Sequence, residues 1–265
     1  MRRLVSSACA AAVAVFARRA VGVALVVLTA LCVAVGAQAT RPLRRPLSFL
    51  PAASVFVVTP GAGNVVERVM QVSPYLAPQA DTLTAHSARA FRRLAARQPD
   101  LARCSADTLA RLFLVTGEAH IAAALDRERL RRDSLLSAHP TDRATAQALL
   151  NTLGWVAASE GTDLYVNLPV DCMINVATPA LRCTVDQICE MGRVKYRLSG
   201  FPQHGSALRL HLRLPAGVAP DQVFLNGRRL LAPQIERGYL VVDRSWRNNE
   251  ELYYDLPERK QLFGE

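Results

Sequence analysis

The apolar period of this chain changes once, and that change limits the fold more than any other feature. From about residue 82 to 155, apolar residues recur at three-to-four spacing; from Leu164 onward they recur at every second position. A chain patterned this way is α+β by segregation, helices first and strands after. Leu83, Ala90, Phe91 and Leu94 mark a first helix, with Arg89, Arg92, Arg93 and Arg97 around them, and Pro99 ends it. Ser105 predicts the N-cap of a second helix, which carries Leu109, Leu112 and Phe113 and stops near Thr116-Gly117. A third runs from about Glu118 to Leu136, with Ile121, Leu125 and Leu135 as apolar markers. Its centre, DRERLRRD, sets Asp126 and Glu128 at helical spacing from Arg131 and Arg132 and predicts a solvated, salt-bridged face. Pro140-Thr141-Asp142 starts a fourth, with Leu149, Leu150 and Leu153 inward.

The strand half is legible from alternation. Leu164–Leu168 and Val194–Leu198 read as strands, and Leu208–Leu214 alternates without a fault, one face buried and one wet. Val223-Phe224-Leu225 meets Asn226-Gly227, a strong hairpin signal. Gly238–Asp243 and Leu252–Leu256 follow. Short strands at regular spacing predict an antiparallel β-sandwich. The expected layout is a leader over 1–39, a Pro/Arg-rich linker over 40–60, a helical region over 61–158 and a β-sandwich over 159–265. Within the linker, Ser54–Thr59 is a short β-type run.

The leader reads as a secretory signal peptide. Arg2, Arg3, Arg18 and Arg19 precede or flank the apolar stretch Ala20–Ala37, and Ala37-Gln38-Ala39 supplies a small-x-small cleavage pattern. The alternative is a retained signal anchor, since such a stretch can just span a bilayer. The expected location is secreted or periplasmic, or single-pass membrane-anchored if the segment is kept. Removing those arginines lowers the formal charge from +10 to +6. That balance favours an acidic partner only weakly, and no nucleic-acid module is present. Cys104, Cys172, Cys183 and Cys189 stay in the exported part, where an oxidising compartment favours disulfides. Cys172–Cys183 is the expected bridge. There is no CxxC or HExxH, so no structural zinc is expected.

Four stretches together resemble one family. LYVNLPVD at 164–171, LRLHLRLPAGV at 208–218 followed by VFLNGRRL, and GYLVVDRSWRNNEELYYDLP at 238–257 are similar, in order and spacing, to the C-terminal part of glycoside hydrolase family 127, the β-L-arabinofuranosidase-like enzymes. LFLVTGEAHIAAALDRERL at 112–130 resembles a helix pair of the same family. The resemblance implies an (α/α)6 barrel followed by β-sandwich domains, and a zinc-bound cysteine nucleophile. An ungapped count places the family's Glu-x-Cys element at Gln98-Pro99-Asp100 and its Cys-Cys pair at Thr141-Asp142, so both thiols are replaced. The acid/base falls near Thr82, beside Asp81. Thr, Gln and Asp cannot supply the same thiolate nucleophile and soft metal ligands. Only about four helices fit, where six helical hairpins need about twelve. The expectation is a truncated relative that keeps the end of the barrel and one sandwich, with no catalytic residues and no cofactor of its own.

Other residues carry side chains suited to catalysis or binding. Glu160 and Asp163 flank the helix-to-strand junction and could form an acid/base pair, or simply a turn. Arg209, His211 and Arg213 share one strand face and could contact an acidic sugar or a partner's carboxylates, or form the wet side of an amphipathic strand. Trp246 could stack on a sugar or pack in the core, and Trp155 reads as packing between the two parts. The function expected is an exported, catalytically degenerate glycoside-hydrolase-like protein that binds carbohydrate or another protein, with a second copy or a partner chain covering the helical flank. The alternatives are an active hydrolase of arabinofuranosides or related cell-wall glycans, and a membrane-anchored structural protein.

Overall fold

A computed structural model describes residues 43, 45–50, 55–56, 85–190 and 192–257. The segment expected to be a signal peptide, Asp81 and Thr82 lie outside the described residues. After two short strands, the described residues form four α-helices. Helix α1 is Ala85–Ala96, α2 Ala106–Thr116, α3 Ala119–Ala138 and α4 Arg143–Asn151. The caps fall where the sequence puts them. The Ser105 hydroxyl accepts from the Thr108 N–H at the start of α2. Gly117 ends that helix at φ 62°, its N–H donating to the Phe113 carbonyl at 2.7 Å.

The strands are β1 Ser48–Phe49, β2 Val55–Phe56, β3 Ala157–Glu160, β4 Asp163–Val166, β5 Cys172–Ala177, β6 Arg182–Glu190, β7 Arg193–Ser199, β8 Ser206–Leu212, β9 Phe224–Leu225, β10 Arg228–Arg229, β11 Gln234–Glu236, β12 Tyr239–Trp246 and β13 Glu250–Asp255. One sheet runs β1-β3-β4-β8-β12-β11 and the other β10-β9-β13-β7-β6-β5-β2. The α+β reading therefore holds, with one topological difference. Strand β4 pairs with β8 in parallel, because the chain leaves the first sheet for β5–β7 and re-enters it beside β4. Asn226 and Gly227 both take positive φ (50° and 77°), as a tight hairpin turn requires.

The helices and both sheets form one compact unit, Pro42–Glu265, with a continuous core. Leu208, Leu210 and Leu212 bury the inner face of β8. The C-terminal end of the outer face is buried, which corrects the wet side expected there, while Arg209 stays half-buried and Ala207 exposed. His211 is 1% exposed and Arg213 9%. Phe113 of α2 meets Tyr165 edge-on at 6.5 Å, and Tyr165 stacks on His211 at 4.0 Å. Alternation shows that one face differs from the other; it does not show that the polar face meets water.

Three further expectations change. Of the Pro/Arg-rich segment, residues 43, 45–50 and 55–56 are described, and these pack on the rest of the chain. Leu43, Leu47 and Leu50 are buried, the Leu47 N–H donates to the Leu114 carbonyl at 2.7 Å, and β1 pairs with β3. On α3 the charged centre turns inward, and of the apolar markers Ile121 and Leu125 are buried while Leu135 turns out. Asp126, Glu128, Arg129 and Arg132 are mostly buried. Arg132 donates to the Ala148 carbonyl at 2.6 Å and lies over the Trp155 ring, so the charge ties α3 to α4.

The expected Cys172–Cys183 bridge is not formed; all four cysteines in the described residues are free thiols. Register explains why. Cys172 faces Gln187 and Cys183 faces Val176, four residues further along β5. At ~3.4 Å per residue the two are roughly 13 Å apart, against the ~7 Å that a disulfide tolerates. Burial pushes the Cys183 and Cys189 thiols up to about 12, and Cys172 upward likewise. Such thiols stay protonated and unreactive near neutrality.

Candidate functional site

Polar side chains gather in two regions: the seam under the helices, and the outer face of the second sheet.

The seam is closed at one end. The buried Arg213 side chain donates from Nη2 to Asp126 Oδ2 at 2.5 Å and from Nε to the Asn167 carbonyl. Asp126 Oδ1 also accepts from Arg129 at 3.0 Å. The Asn167 amide donates to the Trp155 carbonyl at 3.0 Å, and its Oδ1 accepts from the Tyr239 hydroxyl at 2.7 Å. Helix α3, strands β8 and β12 and the turn after α4 are thereby joined through groups with few spare lone pairs. This is a buried polar network, and it commits Arg213 to Asp126 and the Asn167 carbonyl.

The other end is partly open. Glu160 and Asp163 face each other across the two-residue β3–β4 turn. Burial, with Asp163 next in effect, raises the Glu160 carboxyl above its usual range. His211 Nε2 lies 3.6 Å from Asp163 Oδ2, and neither ring nitrogen has a hydrogen-bond partner. Arg209 pairs with Glu236 and lies 3.8 Å from Asp243. Burial pushes the Tyr165 hydroxyl up to about 12. The carboxylates sit side by side on adjacent strands, so both approach a bound group from one side. Glycoside hydrolysis needs them on two sides of the scissile bond.

The remaining sequence candidates take structural places. Trp246 is fully buried and donates to the Leu208 carbonyl at 3.0 Å, so no ring face is left for a sugar. Gln98 is exposed at φ 48° after α1. Asp100 accepts from the Ala102 N–H at 3.1 Å and caps a short 3₁₀ turn. Asp142 caps α4, accepting from the Ala144 N–H at 3.0 Å and from the Thr145 hydroxyl, and these bonds hold its carboxyl below the usual range. Thr141 is exposed beside it. Among the described residues no three His, Cys, Asp or Glu side chains gather to hold a metal ion. The zinc implied by the resemblance does not fit these four positions: they offer no thiolate, and both carboxylates are committed to their own helix ends.

The outer face of the second sheet escaped the sequence reading. Phe224 of β9 and Tyr253 of β13 are register partners, and their rings stack at 5.1 Å and 8°. From the opposite neighbour strand β7, the Arg193 guanidinium lies 4.6 Å over Tyr253 and grips Asp255, Nε to Oδ1 at 2.7 Å. A groove of about 390 Å³ adjoins this row, lined by Gly217, Gln222, Phe224, Arg229, Asp255, Leu256 and Pro257. The only sequence signal was the Asn226-Gly227 hairpin beside it.

The described residues thus form a helical layer on a two-sheet sandwich, closed by a buried polar seam. Residues 163–258 match the family model of the GH127 β-L-arabinofuranosidase middle domain, and over that segment the chain is GH127-like. The match contains the three strand motifs that carry the resemblance, while the helical motif at 112–130 lies outside it. Similar solved structures include a GH127 β-arabinofuranosidase (17% identity, 57% of this chain and 31% of that one, TM-score 0.47). A GH127 β-L-arabinofuranosidase from Geobacillus stearothermophilus T6 (16%, 57% and 30%, 0.49) and a glycoside hydrolase (15%, 57% and 31%, 0.48) are others. The chain spans about a third of their length. No curated protein matches.

Proposed function

We propose that this chain is an exported, catalytically silent relative of the glycoside hydrolases that serves as a carbohydrate-binding module. One observation carries the reading: the positions that the resemblance equates with a metal-bound cysteine nucleophile hold Asp100 and Asp142, whose carboxylates cap their own helical turns. A carboxylate spent on backbone N–H groups is a scaffold part. The apolar stretch at Ala20–Ala37 supports export, and the GH127-like segment at 163–258 supports a carbohydrate partner.

The test has two arms on the purified chain. Hydrolysis of a 4-nitrophenyl β-L-arabinofuranoside, with and without added zinc, is expected to stay at the buffer rate. A glycan array is expected to show binding to cell-wall oligosaccharides. Zinc-dependent release of 4-nitrophenol overturns the silent-enzyme reading; an array with no bound sugar overturns the carbohydrate reading.

A further inference from the structure

We infer that the groove beside Phe224 is a subsite for a neutral sugar residue, an assignment that rests on the carbohydrate reading above and gives it a place. The argument begins with strand order. Sheet neighbours run β10-β9-β13-β7, so Arg193 and Phe224 reach Tyr253 from opposite sides. Both faces of Tyr253 are then covered, and Phe224 is held upright with one face against Tyr253. Its other face turns toward β10, where Arg229 is its register partner. Arg229 does not fill that space, because Asp221 draws it away: Nε donates to the Asp221 carbonyl and Nη2 to its carboxylate at 2.7 Å. The free ring face therefore lines the groove.

An aromatic face with polar groups around its edge is what a sugar needs. The C–H face of the sugar ring packs on the aromatic ring, while hydroxyls bond to the rim. The Gln222 carbonyl oxygen is occupied by the Ala219 N–H at 3.1 Å, so its amide N–H groups are the donors to offer. Asp255 keeps lone pairs beyond those given to Arg193 and can accept from hydroxyls. Charge selects the ligand class. Arg229 is neutralised by Asp221 and Asp255 by Arg193, so the groove carries no net charge to attract a uronate or a phosphate. The volume of about 390 Å³ is at the low end for small-ligand pockets, which suits one or two sugar units.

The experiment is calorimetric titration of the purified chain with neutral arabino-oligosaccharides and gluco-oligosaccharides, and with oligogalacturonate as the anionic probe. Neutral oligosaccharide binding is expected, little affected by salt. Phe224→Ala should weaken it by about tenfold or more, whereas Tyr253→Phe keeps the ring stack and should leave it unchanged. Circular dichroism and thermal melts of each variant separate a lost subsite from a lost fold; if Phe224→Ala unfolds, Gln222→Ala at the exposed rim is the replacement and should weaken binding several-fold. Binding that survives both substitutions overturns the groove and leaves the carbohydrate reading standing. Binding of oligogalacturonate alone overturns the neutral assignment. No binding by the unsubstituted chain overturns both.

Discussion

Replacing Arg213 by methionine tests how the helical layer is held to the sandwich. The substitution keeps much of the stem volume and removes the guanidinium. Asp126 Oδ2 then loses its 2.5 Å partner and the Asn167 carbonyl loses its donor, both under the helices. Removing one member of a buried pair costs roughly 3–5 kcal/mol, because a charge is left behind. Here Arg129 still holds Asp126 Oδ1 at 3.0 Å, which places the expected loss near the lower end, about 3 kcal/mol. For a unit of this size that is a drop of roughly 6–12 °C in melting temperature. Urea unfolding followed by the fluorescence of Trp155 and Trp246 reads it directly, since both indoles are buried. Adding Asp126→Asn keeps the shape and removes the stranded charge, so the double variant should be less damaged than the two single losses added together, by about 1 kcal/mol or more. A loss under about 1 kcal/mol for Arg213→Met, with an unchanged denaturant slope, would mean that the pair behaves as a solvent-screened surface bridge and that the seam does not clamp the layers.

Two other predictions concern single residues. Glu160 has a raised folded-state carboxyl, so the folded protein holds that proton more tightly than the unfolded chain, and stability falls as pH rises from about 4.5 through the folded value. Glu160→Gln should flatten that segment of the pH–stability curve and stabilise the protein at neutral pH; an unchanged slope in urea titrations at several pH values contradicts the assignment. Gly238 has φ +79° and an added Cβ would lie 3.0 Å from Ala119 Cβ, so Gly238→Ala should cost roughly 1–3 kcal/mol. Gly227→Ala, at φ +77° with open space around it, isolates the conformational part, and equal losses in the two variants would show that the helix–sheet contact contributes nothing.

The local signals in this chain were strong because they are short-range. Ser105, Gly117, Asp142 and the Asn226-Gly227 turn act on backbone groups within four residues, so residue type fixes the outcome. The strands at Cys172–Ala177 and Arg182–Glu190 escaped notice for a related reason: their inner faces mix Cys, Ile, Val and Gln, which blurs an alternation that burial makes plain. The Phe224 groove was equally hidden, since its lining comes from four separate segments between Gly217 and Pro257.

What the sequence by itself determined is the order of helices and strands, the caps, the turns and which strand faces are apolar, all set by neighbours a few positions apart. What only the tertiary structure decided is which polar faces are covered. DRERLRRD and the Arg209–Arg213 face carry the composition of solvated surfaces, yet they meet under the helices at one ion pair, Asp126 against Arg213. Each of those two charges looks wet alone; packed together, each supplies the counter-charge that lets the other leave water. That complementarity spans 87 residues of chain and has no local signature.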